Sequence, residues 1–181
     1  MKKKLITCSV GAVLALVATL FPGELKTSKR GQEHIAKWEA CIACTYKDSV
    51  GVDTIGLGAT RWVDGKAPAP GQVATNAQIA QLFVRDLKVN EQCVIDRMNG
   101  RKMPQSVFDA SVSMVHNLGC SGATWNAKTQ KPTQMRTNAL SGDWQGTCDR
   151  MMDFTYAGGK KSPGLVNRRT ADRNLCIEDL K

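Results

Sequence analysis

Within residues 35–61, IAKWEACIACTYKDSVGVDTIGLGATR, a helical period gives way to a glycine-rich, β-branched stretch, and no single regular element can hold both. Ile35, Trp38, Glu39 and Ile42 recur at i, i+3, i+4 and i+7, which predicts a helix from Gly31 to Ala43 with an ionisable group on its apolar face. Asp48 and Thr54 follow Glu39 at nine and fifteen residues. Both fall in a segment, Tyr46 to Thr60, that reads as strand and turn, with Gly51, Gly56 and Gly58 admitting backbone conformations closed to other residues. The pattern sets one carboxyl on a helix against a second carboxyl and a hydroxyl on a hairpin, all facing one cleft.

The start of the chain is of another kind. Lys2, Lys3 and Lys4 precede an uncharged run from Leu5 to Gly23, so residues 1–23 read as a targeting segment. As a helix its 19 uncharged residues would reach about 28 Å, close to a hydrocarbon core of about 30 Å. Thr7, Ser9, Gly11 and the alanines dilute its apolar character, so the expected hold on a membrane is marginal: enough for export and tethering, weak enough for later release. No clear pair of small residues marks a cleavage site, and both retention and cleavage stay open. Residues 24–30 read as a polar, basic linker, and 31–181 as the folded domain.

Past the hairpin, a Pro/Gly-rich loop from Gly65 to Gln72 ends the small lobe. Thr75 caps a long helix from Asn76 to Asn99, whose length suits a connector between lobes. Pro104 opens a broadly apolar helix, which suggests a central core helix, and Gly119 closes it. Shorter helices are expected over Thr133–Leu140 and Asp143–Met152, a surface loop over Tyr156–Lys161, and a last helix over Pro163–Leu180. The expected class is α+β and mostly helical: a hydrophobic N-terminal helix, a small β-hairpin lobe, and a helical lobe joined to it by a long helix.

Seven cysteines behind an export signal point to an oxidising compartment, and the odd number leaves at least one thiol unpaired or exchanging. Cys8 lies in the leader and Cys41 and Cys44 form a CxxC around the Glu39 helix. Cys93, Cys120, Cys148 and Cys176 are spread through the remainder, where two structural disulfides are expected. Zinc lacks ligands, because His34 and His116 are the two histidines and have no metal-site spacing. No metal or cofactor is expected. The formal charge of +9 falls to +6 without the three leader lysines and is scattered, a surface that attracts anionic polymers. With no nucleic-acid-binding motif and ten aromatics, nucleic acid is not the expected partner.

A carboxyl on an apolar face is pushed toward its protonated form and can act as a general acid, which is the role expected of Glu39. Asp48, among exposed turn residues, should stay ionised as base or electrostatic stabiliser, with Thr54 holding an attacking water. Two carboxyls with separated affinities for the proton are what glycoside hydrolysis requires. Asp48 as a mere turn former and Thr54 as a mere strand residue is the bland alternative; the combination outweighs it.

The spacing of Glu39, Asp48 and Thr54, within YKDSVGVDTIGLG for the latter two, resembles the phage lysozymes of glycoside hydrolase family 24, over about residues 31 to 178. MVHNLG, Met114 to Gly119, is similar to the end of that family's central helix, and GLVNRR, Gly164 to Arg169, to the start of its C-terminal helix. The resemblance implies a lysozyme-like bilobal fold and a muramidase cutting the β-1,4 bond between N-acetylmuramic acid and N-acetylglucosamine in peptidoglycan for host lysis. It makes Glu39 the acid, Asp48 the base and Thr54 the water-positioning hydroxyl. Thr60, His116 and Asn117 would bind substrate, and Arg168 would pair with Glu39, opposing the effect of burial on its proton affinity. Ala40 stands where the family usually has Gly, and Ala59 where it usually has a supporting His.

The leader and the added cysteines resemble the signal-anchor-release endolysins, exported to the periplasm tethered to the inner membrane and active after leaving it. That likeness implies a Cys41–Cys44 disulfide that distorts the Glu39 helix while Cys8 is in the bilayer, and attack by Cys8 after release. A permanent Cys41–Cys44 bond, or two buried thiols, is the plain alternative. For the other four, Cys93 with Cys176 and Cys120 with Cys148 is the expected pairing. The chain is expected to be a monomer. A lytic transglycosylase and a non-catalytic, membrane-tethered peptidoglycan-binding protein are the rival functions.

Overall fold

The computed structural model describes residues 5–48 and 51–180, so Lys2, Lys3, Lys4 and Ser49 lie outside the described residues. Among the described residues are seven α-helices and three two-stranded antiparallel hairpins. They divide into two compact units, one comprising the described residues through Lys26 with Gln32–Lys88, the other Thr27–Gly31 with everything from Val89 onward.

The first unit begins with the hydrophobic segment. Its helix α1, Val10–Leu20, is capped by Ser9 Oγ, which accepts from the Ala12 amide, and it buries Val13 and Val17 at i and i+4. At 11 residues it reaches about 16 Å, and no helix among the described residues is long and apolar enough to cross a membrane. Helix α2 is Lys29–Lys37, with His34 and Lys37 at its negative C-terminal end.

The helix expected to continue to Ala43 therefore stops short. Ile42 opens strand β1, Ile42–Lys47, which pairs antiparallel with β2, Asp53–Gly56. The cause is tertiary: β1 is bonded on more than one side. Ala43 N–H donates to Ile6 O (2.7 Å) and Ala74 N–H to Ala43 O (2.7 Å), while Thr45 N–H donates to Gln72 O (2.9 Å). Partners distant in sequence outweigh the local helical period. Gly56, at φ 68°, lies flat against Ile79, whose Cγ2 would be 3.0 Å from any added Cβ. Ile35, Ile55, Leu57, Ile79, Leu82 and Phe83 fill the core of this unit.

The long helix is α3, Asn76–Arg97, and the division of the chain falls within it. In the second unit, α4 (Gln105–Thr124) is buried without a break from Ser106 to Val115, as a central core helix should be. Gly119, expected to end it, interrupts it instead, with φ 72° and ψ 160°, and a further helical turn follows. The hairpin β3–β4 (Trp125–Asn126 and Lys131–Pro132) leads to α5 (Gln134–Ser141) and α6 (Trp144–Asp149), capped by Thr133 and Asp143. The Tyr156–Lys161 segment is exposed and forms a minimal hairpin, β5–β6, turning at Gly158 and Gly159. Ser162 caps α7, Pro163–Cys176. From the expected linker, Thr27 gives both its amide and its hydroxyl to Glu91 Oε1 at 2.7 Å, and the Ser28 amide donates to Asp109 Oδ1 at 2.9 Å.

Four cysteines pair differently from expectation. Cys93 on α3 bonds Cys120 on α4, and Cys148 on α6 bonds Cys176 at the end of α7, with Cα separations of 5.8 and 5.6 Å. Pairing follows which helices lie side by side, and spacing in sequence does not reveal that.

Candidate active site

Glu39 sits in the turn that ends α2, its amide donating to Ala36 O at 3.3 Å, and its side chain is half-buried. Ala40 and Cys41 then lead into β1. The carboxyl is thus presented by the junction between helix and strand, not by a helix face.

Asp48 follows the last residue of β1 and closes the turn to β2. Its amide donates to Val52 O (3.0 Å), its Oδ1 accepts from the Val52 amide (2.8 Å), and its carbonyl accepts from Gly51 N–H (3.1 Å). Gly51, at φ 85°, meets the geometry this turn demands. Thr54 is buried, 3 % exposed, and its Oγ1 donates to Val52 O at 3.1 Å. Asp48 and Thr54 are therefore both tied to one residue, Val52. Asp48 does form the turn, as the bland reading had it, and the turn holds its carboxylate in place.

Tyr46 joins these groups. It is the Cα partner of Thr54 across the hairpin and is two residues before Asp48. Burial pushes its phenol above the usual value, and the negative charges of Glu39 and then Asp48 push it further. Both carboxylates are within electrostatic reach of a single hydroxyl. This tyrosine was not singled out from sequence, although its position at i−2 from Asp48 on a strand was the available signal. Lys47 pairs with Asp53 at 2.8 Å, bracing the hairpin. Thr60 lines a pocket of about 350 Å³ beside that hairpin.

His116, Asn117 and Arg168 belong to the second unit. Asn90 Nδ2 and His116 Nδ1 lie 3.0 Å apart, within hydrogen-bonding distance. Asn117 Oδ1 accepts from Arg169 Nη2. Arg169 is fully buried and forms an ion pair with the equally buried Asp172 at 3.4 Å; Ser113 Oγ donates to Asp172 Oδ1 at 2.7 Å. Burial lowers the proton affinity of Arg169 and Asp172 raises it. Arg168, which the resemblance makes the ion-pair partner of Glu39, is 7 % exposed, and its neighbour Arg169 is the residue that holds Asn117. Its sequence signal was an opposite-charge i, i+3 pair in step with buried Leu175 and Cys176.

Cys8 is bonded to Cys41, with Cα atoms 5.1 Å apart, and Cys44 is free. The Cys8 amide donates to Cys41 O (2.9 Å), and Thr7 forms an isolated antiparallel bridge with Ile42, so the N-terminal segment adds a short bridge to the edge of β1. The Cys44 thiol is half-buried and accepts from the Ile6 amide at 3.3 Å.

Two carboxylates on separate elements, with a hydroxyl tied to the same turn, suit general acid–base chemistry at one bond. The fold is that of a phage lysozyme: the phage lysozyme family matches residues 36–172, and the chain belongs to that family. Among its relatives, the SAR-endolysin of Haemophilus phage HP1 (strain HP1c1) is 32 % identical, the alignment covering 96 % of this chain and 95 % of that one. The crystal structure of the active form of P1 phage endolysin Lyz superposes with a TM-score of 0.86 at 27 % identity, over 97 % of each chain. The secreted inactive form of the same endolysin gives 0.53 at 29 % identity, over 68 % of this chain and 83 % of that one.

Proposed function

We propose that this protein is an endolysin that hydrolyses the β-1,4 bond between N-acetylmuramic acid and N-acetylglucosamine in peptidoglycan. The observation that carries the reading is the gathering of Glu39, Asp48 and Thr54 around Tyr46 and Val52, in a chain of the phage lysozyme family. Glu39 in its acid form gives a proton to the glycosidic oxygen as the bond to C1 breaks. Asp48 takes a proton from the water that attacks C1, and Thr54, whose hydroxyl hydrogen is committed to Val52 O, receives a hydrogen bond from that water through its lone pairs. One turnover leaves Glu39 ionised and Asp48 protonated, and solvent exchange resets both. Inversion at C1 fits carboxyls about 6.5 to 9.5 Å apart, with water between.

Purified peptidoglycan incubated with the protein should yield new reducing ends, and Glu39→Gln should abolish them. Anhydro-muramyl ends would instead mark a lytic transglycosylase, and binding without cleavage a cell-wall adaptor.

The same reading extends to control. The names of the relatives, and a closer match to an active than to an inactive form of one of them, support export by a signal anchor and activation on release. In extended chain, residues 41 and 44 are about 10 Å apart, beyond the reach of a disulfide of about 7 Å. A Cys41–Cys44 bond and an intact start of β1 therefore exclude one another, so the lock acts on the strand and not on a helix. On release the Cys8 thiolate attacks Cys41 Sγ, the Cys8–Cys41 bond forms, and Cys44 leaves as a thiolate that takes up a proton. The bonded pair and the free Cys44 match the products of that exchange.

A further inference from the structure

Beside the catalytic hairpin, the pocket of about 350 Å³ is walled by Lys47, Val52, Asp53, Thr60 and Arg61. Its charges do not balance. The Lys47 ammonium is taken by Asp53 at 2.8 Å, whereas the exposed Arg61 guanidinium has no hydrogen-bond or ion-pair partner among the described residues. One net positive charge faces the pocket.

The backbone behind that charge is held firmly. Arg85 Nη2 donates to Arg61 O (2.9 Å) and Arg85 Nη1 to Trp62 O (2.7 Å), while Arg85 Nε and Nη2 are fixed on Asp86 Oδ1 at 2.8 and 2.6 Å. The following turn closes on itself through Trp62 N–H to Lys66 O at 2.7 Å. An arginine on a chain clamped by a second arginine presents its planar fork with little backbone freedom left to lose, which favours bidentate capture of a planar anion. The same pocket is lined by Val52, whose N–H and C=O hold Asp48. A group seated here is one residue from the base.

We propose that this pocket is a carboxylate subsite, in which Arg61 binds the acidic stem peptide borne by the muramic acid next to the bond being cut. This rests on the muramidase reading for its ligand, but its test is separate. The glycan itself is rich in neutral hydroxyls and acetamides, and the peptide carboxylates are its regularly spaced anions. A subsite for them explains why a cation is left uncompensated at this wall when its neighbour Lys47 is paired.

The test is a binding titration of the full chain with the disaccharide-peptide product, once with free carboxylates and once with the carboxylates amidated; this product lacks the bond to be cut. The wild type should prefer the free acid by about fivefold, Arg61→Ala should bind both forms equally, and Arg61→Lys should keep part of the preference. The Arg61 side chain is exposed and has no hydrogen-bond or ion-pair partner among the described residues, and the bond from Arg85 is to its backbone carbonyl, so truncating the side chain should leave folding intact. A preference that survives in Arg61→Ala, or no preference or no binding at all in the wild type, overturns the subsite. If the preference is present but the wild type releases no reducing ends from peptidoglycan, the subsite stands and the muramidase reading fails.

Discussion

Tyr46 and Thr54 face one another as Cα partners across the β1–β2 hairpin, so the phenol that feels both carboxylates sits opposite the hydroxyl assigned to the water. A negative charge near a phenol opposes its ionisation. In a Tyr156→Phe background, which leaves Tyr46 as the one tyrosine, the tyrosinate absorbance should titrate with a midpoint above the usual 10.0. Glu39→Gln should lower that midpoint more than Asp48→Asn does, and with both changed it should stay above the usual value, because burial is the largest cause. Identical midpoints in all variants would mean that the carboxylates are not gathered about this ring.

Under the proposed function Asp48 has two separable duties, in the turn and as the base. Asn keeps an oxygen for the Val52 amide and loses the charge, whereas Ala loses both. Denaturant unfolding should show Asp48→Ala destabilised by about 1 kcal/mol and Asp48→Asn by less. Both should lose activity by about 10² to 10⁴-fold if Asp48 is the base. Near-normal turnover in Asp48→Asn would leave it a turn former alone.

Sequence patterning reached the family further than it reached the local structure around its motif. The hairpin glycines pointed to the strand and turn that the structure has, and the helix starts expected at Thr133, Asp143 and Pro163 lie within a residue of the observed ones. What was not legible depended on distant partners. Ile42 fits a helical period and a strand equally well, and pairing with residues 6–8 and with residues 72–74 decides for the strand. The Cys93–Cys120 and Cys148–Cys176 bonds follow helix adjacency, and the burial of Arg169 depends on Asp172 and Asn117 being brought to it.

The cysteines give a reversible test. Cys8→Ser removes the attacking thiol, and peptide mapping should then find Cys41 bonded to Cys44, with low muralytic activity that reductant restores. Cys44→Ser cannot form the lock, should retain Cys8–Cys41, and should be active without reductant. Equal activity of Cys8→Ser with and without reductant would remove the exchange from the account.

Arg169 and Asp172 form a pair with no exposed side-chain surface, so breaking it strands a charge in the core. Arg169→Ala should cost about 3 to 5 kcal/mol in denaturant unfolding. Arg169→Met with Asp172→Leu should recover most of that, since replacing both charges with apolar groups removes the desolvation cost instead of exposing it. The expected sign of the second step separates a buried ion pair from simple packing.

Gly31 is held against α4 of the second unit: a Cβ there would lie 2.6 Å from Asp109 Cγ and 2.8 Å from Thr27 Cγ2. Helix propensity alone favours alanine by about 0.5 to 1 kcal/mol, but a clash with a carboxyl on a buried helix reverses the sign. Gly31→Ala should therefore destabilise by about 1 to 3 kcal/mol, as Asp109 is moved off Ser28 and Gln105. Burial holds the Asp109 carboxyl above its ordinary 3.8, despite the hydrogen bonds from Ser28 and Gln105 that pull the other way. Its contribution to stability is then complete below that ordinary value and is lost as pH rises through the raised one. Unfolding free energies measured across the acid range should show this decline in the wild type, and subtraction of the Asp109→Asn curve should isolate it. A difference curve that is flat, or that rises with pH, would place Asp109 among the ordinary, charge-stabilised carboxylates.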